Sequence, residues 1–434
     1  MRRLVTLWVL PVVLSQGCSS KGGSAGATGG DDAGTSDDAS TGADTAPEAG
    51  ATGPTGDVLL VGNSVAGTVS FIDGQSFQSL GSVNVLPDLQ ARLAEINADA
   101  VRAAAYMTIL QKQTLKHFEP SGGQRFVDDV FVSPDGNTLY VSRSNLGDVA
   151  AFDLSSAGVP MLWHTRVDGF KADHAALSPD GSKLVVSATS ADLADIIDAK
   201  TGNLTGSFPT GHYPHQNDFS ADGQRIYNGS IGDVNMPSAD DSQKGARQLT
   251  VVDANTLQVV ATYPFMEGVR PSVITSDEKT MYFQLSYLNG VAKYDLTSST
   301  ITTTLTEPLS AFATANYPTE DDYPHDSAHH GLAMSGDGTK LCDSGTIDNT
   351  VSIVSTDTMT VVTTIGVGLV PYWATTSRDG NTCFVSLSGD NSVSVVSYAT
   401  GQETKRVPVG WFPQRSRLGK VPVSVLARLS PDAG

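Results

Sequence analysis

The sequence is poor in cysteine, in charged side chains and in long apolar runs, and each scarcity excludes a class of protein. Three cysteines in 434 residues, with no Cys-x-x-Cys-His segment, exclude covalently attached c-type haem. A charged fraction of 17%, against roughly 25% in an average soluble domain, argues against coiled coils and long helical bundles. The 27 basic residues against 46 acidic ones argue against a nucleic-acid partner and against electrostatic attachment to anionic lipid.

The N-terminal residues predict export. Arg2 and Arg3 precede an apolar run over 4–14, interrupted by Pro11, that is too short to span a bilayer. Residues 14–18 (LSQGC) resemble the lipobox of bacterial lipoproteins, although the expected leucine lies one position early. We therefore predict a signal peptide over 1–17, lipidation of Cys18, and a membrane-anchored location outside the cytoplasm, in the periplasm or at the outer membrane or cell surface. The alternative is an ordinary cleaved signal with an incidental cysteine.

Residues 18–56 are predicted to be a disordered tether between the lipidated cysteine and the rest of the chain. From residue 19 onward they hold no aliphatic or aromatic side chain larger than Ala or Pro. Such a composition cannot bury enough apolar surface to offset the entropy lost on ordering. Membrane contact is expected through the lipid anchor alone.

Two short patterns recur through the remaining chain. A Ser-x-Asp-Gly turn follows an apolar strand at 133–136, 178–181, 220–223, 335–338 and 377–380, with a degenerate copy at 275–278. Alternating strands that end on Asp or Ser occupy 68–73, 148–153, 193–198, 248–253, 290–295, 350–355 and 392–397. A period of about 40–45 residues with several short strands is typical of β-propeller blades.

The repeats predict an all-β protein whose residues 57–434 form one seven-bladed β-propeller. The N-terminal unit begins without its inner strand. The C-terminal segment 423–432 ends in another Ser-Pro-Asp turn and is predicted to supply that strand and close the ring. Closure removes exposed sheet edges, so deletion of 423–434 is expected to cost far more stability than an ordinary tail deletion.

Two of the units resemble the bacterial YVTN-type propeller repeat. The similarity lies in Leu139-Tyr140-Val141-Ser142 followed by 147–149, and in residues 383–386 followed by 391–396. It implies the propeller fold and an extracytoplasmic or surface protein. Related rings carry lactonases, a haem domain and a copper-cluster domain, so the resemblance does not select an activity.

Three segments exceed the blade template, namely 87–124, 232–247 and 311–328. Blade topology places all three on one face of the ring, where grafted loops usually form binding sites. The first is predicted to be helical over about 88–118, because apolar residues recur every three or four positions. Asp88 and Asp99 are its candidate N-caps. It serves either as a lid over the channel or as a patch on the rim.

Polar residues are predicted to ring the channel on this same face. They lie four or five residues before each turn serine, at the start of the inner strand. The ligand-binding candidates are Asp128, Asp129, His174, His215, Arg270, His330 and Tyr372, with Asp173, Gln216 and Trp373 beside them. In the N-terminal unit the corresponding positions are expected to hold the apolar Val425 and Leu426.

Histidines and carboxylates that converge from different blades could hold a divalent metal. The candidate ligands are His174, His215, His325, His329 and His330. The alternative is that each histidine satisfies a loop carbonyl or caps a turn. No spacing here matches a strong metal motif, a Ser-His-Asp constellation or a phosphate-binding glycine loop.

Cys342 and Cys383 occupy equivalent positions in neighbouring units. Because neighbouring blades pack opposite faces together, these thiols are predicted to meet across one blade interface as a disulfide. The alternative is two buried thiols.

The leading functional hypothesis is a cell-envelope propeller that binds a ligand or protein partner at the insertion-bearing face. The alternative is a metal- or histidine-dependent enzyme, similar to a lactonase or lyase, at the same channel mouth. Whether any reaction is catalysed is left open. Residues 1–57 carry three basic and seven acidic residues, so most of the net charge of −19 belongs to the propeller. We therefore expect a cationic or metal-bearing partner more than an anionic one.

Overall fold

Short antiparallel strands joined by tight turns make up most of the chain. The computed structural model describes residues 54–113 and 123–429. The predicted signal peptide, Cys18, almost all of the tether, residues 114–118 of the predicted helical insertion and residues 430–432 lie outside this part. Among the described residues, no helix is long and apolar enough to cross a membrane.

The described strands form seven four-stranded sheets, which are the blades of a β-propeller, as the repeats predict. The strands are β1 (Thr55–Asn63), β2 (Thr68–Asp73), β3 (Ser79–Asn84), β4 (Val130–Val132), β5 (Thr138–Arg143), β6 (Asp148–Asp153), β7 (Met161–Arg166), β8 (Ala172–Leu177), β9 (Lys183–Ala188), β10 (Leu193–Asp198), β11 (Leu204–Pro209), β12 (Pro214–Phe219), β13 (Arg225–Ser230), β14 (Gln248–Asp253), β15 (Val259–Pro264), β16 (Val269–Ile274), β17 (Thr280–Leu285), β18 (Gly290–Asp295), β19 (Thr300–Thr306), β20 (Leu332–Met334), β21 (Lys340–Gly345), β22 (Thr350–Ser355), β23 (Thr360–Gly366), β24 (Pro371–Thr376), β25 (Thr382–Leu387), β26 (Ser392–Ser397), β27 (Glu403–Pro408) and β28 (Pro413–Pro422).

Helical segments are few and short. The α-helices are α1 (Leu89–Ala98), α2 (Ala100–Gln113), α3 (Ala311–Asn316) and α4 (Val423–Leu426), and single 3-10 turns cover Ser144–Leu146, Thr189–Ala191, Ser238–Gln243, Glu320–Asp322 and Pro324–Asp326.

The Ser-x-Asp-Gly segments form the turns between the first and second strands of a blade. The Ser178 hydroxyl donates to Asp180 Oδ1 at 2.5 Å and accepts the backbone N–H of Lys183 at 2.9 Å. Gly181 has φ of 72°, a left-handed conformation that glycine adopts without a steric penalty. The repeated motif therefore fixes both the turn and the register of the strands beside it.

The core lies between the blades. Middle strands such as β5 are buried on both faces, whereas the outer strand β7 alternates between exposed and half-buried residues. Each pair of neighbouring blades encloses one buried apolar cluster. The cluster of Leu59, Val61, Phe384 and Val395 joins the last blade to the first.

The strand that closes the ring is β28, not the predicted segment 423–432. It pairs antiparallel with β1 along its length, from Thr55 opposite Pro422 to Asn63 opposite Pro413. Residues 423–426 form helix α4 instead. The prediction of a C-terminal closing strand is confirmed, but its position was wrong by about ten residues, so Val425 and Leu426 do not face the channel as inner-strand residues.

The first insertion is helical, as predicted, over α1 and α2. Ile96 packs against Phe126 and Leu146 on the rim of the ring. Asp99 caps α2 by accepting the backbone N–H groups of residues 101 and 102. The Asp88 side chain makes no helix cap and instead pairs with Arg143 at 2.6 Å.

Cys342 and Cys383 form a disulfide between the sixth and seventh blades, with their Cα atoms 6.4 Å apart. Both are fully buried within the apolar cluster at that interface. The bond therefore links two neighbouring blades covalently.

Candidate functional site

A cavity of about 130 Å³ lies at one mouth of the central channel. Its wall includes Thr108 and Ile109 from the first insertion, Val234 and Asn235 from the second, and His325 from the third. All three insertions therefore reach one site, as predicted. The helical insertion packs on the ring through residues such as Ile96 of α1, and it reaches the cavity through Thr108 and Ile109 of α2.

Most of the predicted ring residues meet at this cavity. Asp128, His215, Arg270, His330 and Tyr372 line it directly. His174 does not line it but is fully buried against His215. The inner strands thus bring residues from six blades, remote in sequence, to one place.

Asp129 and His329 are not part of the cavity wall. Asp129 pairs with Arg417, whose guanidinium nitrogens lie 2.9 and 2.7 Å from its carboxylate. His329 Nδ1 lies 3.0 Å from Asp343 Oδ1, beside Glu307, in a separate buried group.

His174, His215 and His330, here called the histidine triad, present their Nε2 atoms to one another. The His174 and His215 Nε2 atoms are 3.1 Å apart, and those of His215 and His330 are 3.4 Å apart. All three side chains are at most 4% exposed. Of the five histidines predicted as metal ligands, the structure brings these three together, while His325 and His329 stay outside the group.

Neighbouring groups orient the triad rings. His330 Nδ1 lies 2.9 Å from the Tyr372 carbonyl oxygen, to which it can only donate. His174 Nδ1 lies 3.4 Å from Arg415 Nε and 3.9 Å from Asp129 Oδ2. His215 Nδ1 is buried and has no hydrogen-bond partner among the described residues.

The triad imidazoles are neutral at neutral pH. Burial lowers the pKa of His174, His215 and His330 well below the ordinary value, and the nearby Arg415 guanidinium lowers each pKa further. Neutral imidazoles supply lone pairs, which suits them to bind a cation rather than an anion.

The rest of the cavity wall is mainly cationic. It contains four basic and two acidic side chains: Arg125, Lys171, Arg270, Arg415, Asp128 and Asp173. The wall thus has an excess of positive charge inside a protein whose net charge is −19. This local sign is opposite to the one that the overall composition suggests.

Arg270 is a buried cation without a carboxylate partner. Its side chain is 1% exposed, and it donates to the Ser286 hydroxyl at 3.1 Å and to the His325 carbonyl oxygen. Among the described residues no carboxylate lies in ion-pair contact with it. Burial lowers the pKa of Arg270, although the charges of Asp326 and Asp173 act in the opposite direction. A buried charge without a counter-charge lowers the stability of the folded state by roughly several kcal/mol.

Two carboxyl groups in the wall differ in protonation. Burial raises the pKa of Asp128 to about 7, although Arg415 Nε lies 3.5 Å away. For Asp173, burial acts in the same direction, but the Lys171 ammonium at 2.8 Å holds the pKa below its usual range. Asp128 therefore exchanges a proton near neutral pH, whereas Asp173 stays ionised.

Arg415 is absent from the predicted site residues, because the predicted closing strand lies ten residues too late in the chain. A signal for its true position exists. Gly211-x-x-Pro214 and Gly368-x-x-Pro371 lead into the inner strands β12 and β24, and the same Gly-x-x-Pro spacing recurs at 410–413 before β28. In each case the residue before the proline has a positive φ of 54–61°.

No protein-family model and no curated protein sequence matches the chain. Among solved structures, the propeller resembles one described as Kuenenia stuttgartiensis hydrazine synthase, with a TM-score of 0.54. The two are 18% identical, and the match covers 76% of this chain and 89% of that one. At this identity the likeness concerns the fold.

Proposed function

We propose that this protein binds a small anionic molecule in the cavity at the insertion-bearing face of the propeller. Arg270 carries the proposal, because its buried guanidinium faces the cavity and no carboxylate among the described residues forms a direct ion pair with it. Guanidinium groups hold carboxylates and phosphates by paired hydrogen bonds, and Lys171 and Arg415 stand in the same wall. A cavity of about 130 Å³ is large enough to hold a small molecule.

An enzymatic role is the second candidate, and Asp128 is the observation that favours it. A carboxyl group with a pKa of about 7 can accept or donate a proton at neutral pH. It stands beside Arg415, which could stabilise developing negative charge. This arrangement is compatible with a hydrolase or lyase acting on an anionic substrate.

A thermal-shift titration tests the binding proposal. Acetate, oxalate, succinate and inorganic phosphate are each added to the chelator-treated protein up to about 10 mM. A ligand at about 100 times its Kd adds roughly 2.7 kcal/mol to the free energy of unfolding. We expect at least one of these anions to raise the Tm of the wild type, and Arg270→Gln to abolish the shift.

Arg225→Gln is the matched control, since Arg225 is half exposed and pairs with Glu278 at 2.7 Å away from the cavity. It should respond to the anions as the wild type does. No shift with any of the four anions would contradict the proposal. Chemical conversion of a lactone or ester probe that disappears in Asp128→Asn would instead establish the enzymatic role.

We also propose that the protein is exported and held on a membrane by lipid at Cys18. The basic residues, apolar run and lipobox-like segment at 1–18 support this, and an oxidising compartment suits a protein with a disulfide. Cys18→Ser should move the protein from the membrane fraction to the soluble fraction of the cell envelope. Unchanged fractionation would exclude the anchor.

A further inference from the structure

No arrangement of ring hydrogens satisfies both short contacts within the histidine triad. His330 uses its ring hydrogen at Nδ1 on the Tyr372 carbonyl, so its Nε2 carries a lone pair. The Arg415 guanidinium, which can only donate, contacts His174 at both Nδ1 and Nε2, so these contacts do not fix which of the two nitrogens carries the hydrogen. If His174 carries it at Nδ1, His215 Nε2 can donate to only one of its two neighbours. If His174 carries it at Nε2, either two hydrogens oppose each other between His174 and His215, or two lone pairs oppose each other between His215 and His330.

We propose that a divalent transition-metal ion binds the Nε2 atoms of His174, His215 and His330. Zinc–imidazole bonds of about 2.0–2.1 Å place neighbouring ligand nitrogens of a tetrahedral site roughly 3.3 Å apart. The observed separations are 3.1 and 3.4 Å. The ion resolves the lone-pair contacts by accepting all three pairs.

The surroundings of the triad fit metal ligands. A ligating histidine usually donates its other ring nitrogen to a carboxylate or a carbonyl, which fixes the tautomer. His330 does so toward Tyr372. The Asp129 carboxylate lies 3.9 Å from His174 Nδ1, although Arg415 Nε is nearer to that nitrogen, at 3.4 Å. His215 and His330 also line the cavity, so the ion's remaining coordination position is open to a ligand there.

Arg415 is the group that must respond to the ion. Its guanidinium contacts His174 and also lies 3.5 Å from Asp128 Oδ1. A metal ion repels it from His174, which leaves its hydrogen-bond donors to Asp128 and to an anion in the cavity. Metal binding at the triad therefore favours anion binding beside it, and the reverse holds by linkage.

Calorimetric titration of the chelator-treated full chain with Zn²⁺, and separately with Cu²⁺, tests the site. We expect one equivalent of either ion to bind, with Cu²⁺ the tighter, as imidazole sites follow the Irving–Williams order. His174→Gln, His215→Gln and His330→Gln should each weaken Zn²⁺ binding by about tenfold or more, which is about 1.4 kcal/mol. Arg415→Gln should bind Zn²⁺ more tightly than the wild type, since a competing cation is removed.

His212→Gln is the matched control, because His212 pairs with Asp192 at 2.8 Å outside the triad and should leave the metal affinity unchanged. Should the triad variants misfold, electron paramagnetic resonance of the Cu²⁺-loaded wild type replaces them and should show coupling to three imidazole nitrogens. The absence of metal binding in the wild type, equal binding by all three folded variants, or coupling to fewer than two nitrogens would each overturn the proposal. Anion binding is measured without metal, so its failure is distinguishable from failure here.

Discussion

Buried histidines make the stability of this protein depend on pH. Burial lowers the pKa of His325 to about 3, and Lys171 and Arg270 lower it further. In the unfolded chain a histidine has an ordinary pKa of about 6.5. Below pH 6.5 the unfolded state therefore takes up a proton that the folded state refuses, and the free energy of unfolding falls as the pH falls toward 3.

His325→Asn should reduce this loss of stability in acid. Asparagine tolerates the left-handed backbone of residue 325, where φ is 50°, and does not titrate. Between pH 6 and pH 4, the free energy of unfolding of both proteins should fall as the pH falls. The slope for the variant should be smaller than that for the wild type by about 1 kcal/mol per pH unit. Urea denaturation at several pH values measures the slope.

A second histidine provides the control for this pH experiment. His212 is partly exposed beside Asp192 and does not line the cavity, so His212→Asn removes a histidine without removing the one in the cavity wall. The free energy of unfolding of His325→Asn could instead depend on pH as steeply as that of the wild type. The His325 imidazole would then have the same pKa in the folded and unfolded states, and the prediction would be wrong.

At the scale of single elements, β28 has the largest consequences for both fold and site. It completes the first blade against β1 and brings Gln414 and Arg415 to the cavity wall. Its residues, PQRSRLGKVP, include three charged side chains, Arg415, Arg417 and Lys420, and Arg415 lines the cavity. A strand that carries such groups lacks the apolar alternation by which strands are recognised.

Two truncations distinguish the roles of β28 and the residues after it. A chain ending at Phe412 loses the closing strand and should not unfold cooperatively, because the edge of β1 is left open. A chain ending at Pro422 loses only α4 and the tail, and should fold. It should be weaker by about 2–4 kcal/mol, because Val425 and Leu426 pack on the core. Urea unfolding followed by tryptophan fluorescence measures both.

The second truncation also revises the expectation for deleting 423–434. If neither truncated chain unfolds cooperatively, the residues after Pro422 are needed for folding as much as β28 is. The structural role assigned to β28 is then wrong.

Features that repeat with the blades could be predicted from the sequence, and features that depend on single residues could not. Blade number and insertion placement could be predicted, because turn motifs such as 178–181 and the apolar strands repeat with the blades. The cavity was predicted only in part. His215 and His330 follow from inner-strand position, but Arg415 depends on which segment closes the ring, and Lys171 carries no repeat signal. Contacts between residues as distant as His174 and Arg415 arise from ring closure alone.

At the scale of the whole molecule, charge is distributed unevenly between the surface and the channel. The aspartates of the Ser-x-Asp-Gly turns are exposed, such as Asp180, whose pKa is lowered to about 2 by the hydroxyl of Ser178. The cavity wall instead collects four basic side chains. The overall net charge therefore reflects the solvent-exposed surface, and does not predict the charge of a ligand that would bind in the channel.

Because β1 pairs with β28, the first strand of the ring stays unpaired on one edge during most of translation. The inner edge of β1, with its Val58-Leu59-Leu60-Val61 segment, cannot find its partner until about 350 further residues have been made. At 5–20 residues per second, that edge waits roughly 20–70 s on a growing chain. An unpaired apolar strand readily pairs with strands of other chains. The N-terminal strand β1 of a newly made molecule therefore needs a chaperone, or delayed folding, until β28 has been translated.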